Sequence, residues 1–324
     1  MLFLICCLLF AAFPERVLVG AQSGLALSLN AVVPSLLPFM LVSTCLIKSK
    51  FSYPLGSIVS KILSPILGIS PTGCVCLITG LIGGYGAGAK AVFECYREKE
   101  IDKEEAETLL AFSNNAGPLF VIGTVGISFF SHRQTGIILY IVQVITALFL
   151  CVIFCFNNKY EKTSVAKEWE FYKKNKPPIG ELIAKSAASS GKAIISVVVF
   201  VVAFSAISQI LPTERFPLIS GILEVAKGCS ELSRRGTKIL PLISALLSWG
   251  GLSVHFQTNA LAGGQLNLRK YYIGKTTGAI VSYFITYFIY SDPYLMLFLS
   301  IVIFSVFLCF LVVKNLILKQ LRQP

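Results

Sequence analysis

Two stretches of this chain hold most of the side chains able to bind or pass a solute. The first is Gly80-Leu81-Ile82-Gly83-Gly84-Tyr85-Gly86-Ala87-Gly88-Ala89-Lys90, followed further on by Ser113-Asn114-Asn115-Ala116-Gly117-Pro118. The second is Ser248-Trp249-Gly250-Gly251-Leu252-Ser253-Val254-His255-Phe256-Gln257. Each sits in apolar sequence, yet glycine costs a helix about 1 kcal/mol relative to alanine, so the first stretch, with five glycines in nine residues, predicts a broken helix. Backbone freed from a helix cannot face lipid unsatisfied and survives only against protein or a wet cavity. Transporters build their binding sites from such breaks.

The chemistry on offer is that of binding. Lys90 is a lysine near hydrocarbon, costing about 2.5 to 3.5 kcal/mol unless it snorkels or finds a partner. With the positive amino ends of broken helices it favours an anion; the competing reading makes it the first residue of a charged loop, reaching headgroup phosphates. Asn114 and Asn115 supply amide donors and acceptors, or simply cap and turn the chain. His255 and Gln257 beside Gly250-Gly251 offer a proton carrier or ligand contact, against a histidine satisfied by a neighbouring carbonyl. The expected substrate-binding set is Gly84, Tyr85, Gly88, Lys90, Ser113, Asn114, Asn115, Gly250, Gly251, Ser253, His255 and Gln257.

Enzyme chemistry is not indicated. Gly83 to Gly88 lacks the Gly-Lys-Ser/Thr of a phosphate loop and opens no βαβ unit, and acidic residues are almost absent from the apolar segments. Cys74-Val75-Cys76 has no second pair to complete a zinc site, and His132 and His255 lie far apart. No metal or cofactor is expected. Most of the ten cysteines fall in apolar runs and read as small buried thiols.

The elements that must position these residues are membrane spans. Of 324 residues 55% are hydrophobic and 14% charged, and a mean hydropathy of +0.76 marks a polytopic, all-α membrane protein. The net charge of +12 sits in loops between apolar runs, the pattern of cytoplasmic loops and lipid contact rather than of nucleic-acid binding. Residues 1–13 are read as an anchoring segment, 15–31 as an interfacial amphipathic helix, and the next span as ending near Ile47. After the broken run 72–90, Asp102 is placed to cap a solvent-facing helix, with Glu105 as its reciprocal partner. The run 119–130 is short enough for a re-entrant hairpin. Residues 134–156 span; 157–190 form a cytoplasmic connector; 193–211, 239–264, 271–290 and 294–313 follow as apolar runs.

Lysines close the spans ending near Ile47 and Phe156, whereas basic residues open the span at Tyr271 and the lysine-rich connector precedes the one at Ala193. The two halves thus read as crossing in opposite senses, an inverted-topology repeat with re-entrant hairpins. The expected units are a first repeat over 1–156, the connector 157–190, a second repeat over 191–290, and a final helix with cytoplasmic tail over 291–324.

Four motifs in order carry a family resemblance: Pro34-Ser35-Leu36-Leu37-Pro38-Phe39; Gly84-Tyr85-x-x-Gly88-Ala89-Lys90; Ala111-Phe112-Ser113-Asn114-Asn115-Ala116-Gly117-Pro118 with Gly123 and Gly126; and Gly250-Gly251-Leu252-Ser253-Val254-His255-x-Gln257. Over nearly its whole length the chain resembles the sporulation integral membrane protein YlbJ family, of the nucleoside-recognition (Gate) domain group, which looks like parts of concentrative nucleoside transporters. It departs from the family at Gly86, commonly proline, and at Ser113, often cysteine. The resemblance implies a multi-pass protein of the outer forespore membrane in a Gram-positive bacterium that moves dipicolinate. Lys90, the amides and the half-helix ends suit that small aromatic dicarboxylate, with Tyr85 or Trp249 for its ring. A nucleoside or ion as cargo, and a non-transporting role in assembly, are the alternatives. The expected partners are thus a small anionic metabolite, the lipid bilayer and an unassigned coupling ion, in a chain compatible with a homo-oligomer.

Overall fold

Proline and glycine, rather than polar loops, decide where the helices of this chain bend. The computed structural model describes residues 2–155, 164–211 and 216–291, and among them the regular elements are helices, with no strand. Four helices are long and apolar enough to cross a membrane, and a fifth span exists if one bent pair is counted. The chain is an all-α integral membrane protein. The expected last span, 294–313, lies outside the described residues.

After α1 (Leu2–Ala12), helix α2 (Pro14–Leu27) passes through a π-helical turn, Ser28–Val32, into α3 (Val33–Lys48). The separate interfacial helix expected at 15–31 is therefore corrected: Pro14–Lys48 is one 35-residue rod. The wide turn sits just before Pro34, which has no N–H to donate, and lets the helix continue past it. One face of α2 is nearly bare. A Cβ on Gly20 would lie 2.7 Å from Ala206 Cα, and one on Gly24 2.7 Å from Ser205 Cβ. That brings the rod against α10 (Ile179–Ile210) by the small-residue packing that membrane helices use.

Helices α4 (Ser52–Leu67) and α5 (Pro71–Gly83) meet at 89°. Gly68 turns the corner at φ +69°, and the Ser70 hydroxyl caps α5 by accepting from Gly73 N at 2.8 Å. Beyond a break at Gly84 runs α6 (Tyr85–Arg97), and then α7 (Lys103–Ser113), whose cap is Asp102 accepting from Glu105 N at 2.8 Å. The cap falls where expected, but α7 is not solvent-facing: Ala106 and residues 108–113 are buried. A π-helix, Leu119–Phe129, and the 23-residue α8 (Arg133–Cys155) complete the first half.

Next comes α9 (Val165–Asn175), whose Trp169 and Tyr172 pack edge-on against Phe51 and whose Phe171 lies against Tyr53. Helix α10 begins at Ile179, within the stretch read as connector, and is followed by α11 (Pro217–Leu223), α12 (Val225–Ser233), α13 (Leu240–Trp249), α14 (Gly251–Ala262) and α15 (Arg269–Ser291). The order of elements in the second half repeats that of the first. A broken pair, a second broken pair and a 23-residue helix follow α4, and the same sequence follows α10. By this order α5–α6 corresponds to α11–α12, and the stretch around Gly250 is the counterpart of the break at Asn114 rather than of the one at Gly84.

Candidate functional site

Four helix breaks define the centre of the molecule. Gly84 links α5 to α6 at φ 85°, ψ −173°, a region essentially reserved for glycine. Residues 114–117 separate α7 from the π-helix, Glu224 separates α11 from α12 in extended conformation, and Gly250 at φ 95° separates α13 from α14. The breaks pack in pairs. A Cβ on Gly117 would lie 2.9 Å from Gly84 N, and one on Gly251 3.0 Å from Val225 N. Tyr85 ties the two halves together, its buried hydroxyl donating to the Leu247 carbonyl at the end of α13.

Around that tie the polar groups form one connected set. Lys275 on α15 donates to the Asn114 carbonyl at 2.7 Å, and its ammonium sits 5.1 Å from the centre of the Tyr85 ring. The Asn114 side chain donates to Thr258 Oγ1 at 3.0 Å, and Thr258 lies 3.3 Å from the Tyr271 hydroxyl. Tyr271 in turn meets His255 Nδ1 at 2.9 Å. Buried polar atoms without a hydrogen-bond partner among the described residues include Asn114 Oδ1, Ser113 Oγ, Ser253 Oγ and His255 Nε2. Such atoms are few in folded proteins, and each calls for a ligand, a water or a moving part.

Two adjoining central cavities share Tyr85, Val197, Val254 and Gln257 in their walls. One is about 10 Å³ and reaches Asn114; the other is about 30 Å³ and reaches Glu224 and Ser35. Each holds about one water. The site is therefore closed around a polar seam. His255 also opens onto a separate groove of about 260 Å³ with Trp249, Asn259 and Tyr272, its ring 4.6 Å from that of Trp249.

The structure thus brings Gly84, Tyr85, Asn114, Gly250, Gly251 and Gln257 to one place and ties His255 to them through Tyr271. Gly88 and Ser113 have a packing role. A Cβ on Gly80 or Gly88 would stand 1.8 or 1.9 Å from the Ser113 carbonyl oxygen, so two bare helix faces clasp the end of α7. Asn115 donates to the Phe112 carbonyl at 2.6 Å, the capping role weighed for it on sequence. Lys90 lines neither central cavity. Buried on the other side of α6, it donates to Thr44 Oγ1 and lies 3.7 Å from Glu94. Glu94 in turn holds Lys48 at 3.1 Å and Ser189 at 2.9 Å, so this cluster joins α3, α6 and α10.

Three polar residues at the centre escaped the sequence reading. Glu224, 2% exposed, is an acid folded into the centre of the bundle. Its signal was a lone acid at a midpoint of Gly221-x-x-Glu224-x-x-x-Gly228. Lys275, 3% exposed, is one of the basic residues that open the span at Tyr271, yet on α15 it points inward while Ile280 and Phe284 face out. Thr258 had no signal. Outside the apolar spans, Lys50 meets Glu98 at 2.8 Å and Glu100 at 3.2 Å. Burial works against its charge, but those carboxylates outweigh it and raise its pKa; burial likewise raises that of Glu100, with Lys50 opposing.

Among known proteins, sporulation integral membrane protein YlbJ of Bacillus subtilis (strain 168) is 24% identical to this chain over 337 aligned positions, covering 89% of the chain and 83% of the relative. That likeness, over nearly the whole chain, supports the resemblance to the YlbJ family. No protein-family model and no solved structure matches it. Three of the four motifs that resemble the YlbJ family, those at Gly84, Asn114 and Gly250, are the ones that form breaks at the central seam.

Proposed function

We propose that the chain is a sporulation membrane transporter that moves a small anionic aromatic metabolite, dipicolinate, from the mother cell across the outer forespore membrane by alternating access. One observation carries this reading: broken helices from both halves of a membrane bundle converge on one buried polar seam. The amino ends of α6, α12 and α14 begin at the breaks, so their positive dipole ends gather where an anion would lie. Lys275 adds a cation, Gln257 and Asn114 add amides, and Tyr85 adds a ring face. The YlbJ relative supports a part in sporulation. The repeated element order favours two halves inverted with respect to each other, the architecture in which substrate lies at the midplane between them.

Ligand pockets run from about 300 Å³ upward, so the central cavities describe a state between loading and release. Dipicolinate enters when the halves part along the Tyr85–Leu247 contact. The test is uptake of labelled dipicolinate by purified protein in phospholipid vesicles, with uridine and divalent cations as competitors. Asn114→Leu and Gln257→Leu, at normal abundance in the membrane, should each abolish it. Folded wild-type protein that neither binds nor moves dipicolinate would reject this cargo, and failure with every solute would favour an assembly role.

A further inference from the structure

Glu224 stands in the wall of the central seam without a salt bridge. Its neighbours in that wall include Tyr85 from α6, Gln257 from α14, Ser35 from α3, Val197 from α10 and Phe120 from the π-helix. One carboxylate oxygen, Oε2, accepts from Lys227 N at 2.6 Å and so caps α12. The Lys227 ammonium is turned away, held by Ser208 Oγ at 2.6 Å and Gln209 Oε1 at 3.1 Å on α10. Among the described residues no salt bridge reaches Glu224. The titratable groups around it are Tyr85 on α6 and Lys227, Cys229 and, one turn beyond Lys227, Glu231 on its own helix; α11, α13 and the π-helix bring none. A second observation points into the same space. Asn114 Oδ1, on a residue 1% exposed, has no partner and belongs to the wall of the adjoining cavity, with Gln257 common to both.

We propose that Glu224 is a proton-binding site open to the central cavity and the coupling group of the transporter. This rests on the transport reading above and supplies the ion it lacks. An anion entering this space meets a carboxyl that no salt bridge neutralises, Lys227 acting on it only from a distance, and two like charges in a site of low dielectric repel strongly. Protonation removes the conflict. In the loaded state the group is a carboxylic acid beside the anion. When the anion leaves, the O–H bond breaks, the proton passes to water on the release side, and a carboxylate remains, held by the α12 amino end. Proton uptake on the loading side forms the O–H again. Each cycle thus carries one proton with each anion, and ionisable groups inside membranes serve proton relays of this kind.

The experiment uses the full chain in phospholipid vesicles and has two arms. A hydrophobic carbodiimide, which reacts with protonated carboxyls in apolar surroundings, is applied without dipicolinate at a series of pH values, and adducts are located by mass spectrometry. Wild-type protein should be modified at Glu224, more strongly as pH falls. In the second arm, dipicolinate accumulation is measured with and without an inward proton gradient. One pH unit should raise the accumulation ratio by up to about tenfold when one proton accompanies each anion. Glu224→Gln should bring the ratio with and without the gradient to one, whereas Glu224→Asp, which keeps a carboxyl, should preserve a response. An unmodified Glu224 at every pH would overturn the proposal, as would a gradient response surviving in Glu224→Gln or accumulation driven by sodium alone. Labelling of Glu224 in a protein that moves no dipicolinate would uphold the proton site and reject the cargo.

Discussion

Gly88→Ala tests the geometry of the centre most directly. The new Cβ would lie 1.9 Å from the Ser113 carbonyl oxygen and 2.7 Å from Gly80 Cα, where ordinary contact begins at 3.4 Å. The end of α7 must therefore retreat by about 1.5 Å, the difference between 1.9 and 3.4 Å. The obstacle is backbone, not a side-chain tip that can rotate. Overpacking of this kind costs about 1 to 3 kcal/mol, and the upper end applies when no rotamer relieves it. Alanine recovers up to about 1 kcal/mol as the better helix former, which leaves a net loss of about 2 kcal/mol. Gly191→Ala in α10 is the matched control, because nothing lies within 4 Å of its Cβ and the helix gain stands alone. Thermal unfolding of both variants in lipid nanodiscs should show the first melting below wild type and the second at or above it. Since the retreat drags Asn114 with it, dipicolinate uptake by Gly88→Ala should fall even at low temperature, where the protein stays folded. A Gly88→Ala protein as stable as Gly191→Ala would refute the close approach of α5, α6 and α7.

Three further outcomes follow from single contacts. Tyr85→Phe leaves the Leu247 carbonyl without its donor and should cost about 1 to 3 kcal/mol, seen as a lower unfolding temperature. Asp102→Ala removes the cap of α7 and should cost about 1 kcal/mol by the same measurement, while Asp102→Asn should recover most of it. Lys90→Met should lower the unfolding temperature more than it weakens dipicolinate binding, because its amine serves Thr44 and Glu94. The loss should stay below the roughly 3 to 5 kcal/mol of a fully orphaned buried ion, since Lys48 still holds Glu94.

Much of this architecture was legible in the sequence, for definite reasons. Glycine runs and proline have few conformations open to them in a helix, so the breaks at Gly84, Asn114 and Gly250 could be read from residue type alone. Asp102 was legible because capping is local. What escaped reading depends on helix rotation. Lys90 and Lys275 both lie near the ends of apolar runs, and sequence ranked the first as the site and the second among the basic residues that open a span. In the fold α6 turns Lys90 toward α3 and α10, whereas α15 turns Lys275 onto Asn114. Nothing in a one-dimensional pattern fixes that rotation, because it is set by which neighbour offers a bare glycine face. Glu224 was hidden for a related reason: α11 and α12 are short, and their mixed composition resembles a surface loop until they are seen folded into the bundle.

The way α15 meets α7 bears on how the protein is made. Gly80 and Gly88 reach the Ser113 carbonyl from within the same half, so that clasp can close early in synthesis. Gly274 covers the Ala111 carbonyl and Lys275 takes that of Asn114, and both belong to a helix translated more than a hundred residues later. Chains fold from the amino end as they emerge. The nascent first half must therefore shelter exposed peptide groups inside the translocation machinery or the bilayer until its last partner arrives, and a truncation before Arg269 should be a substrate for membrane proteolysis rather than a half-sized carrier.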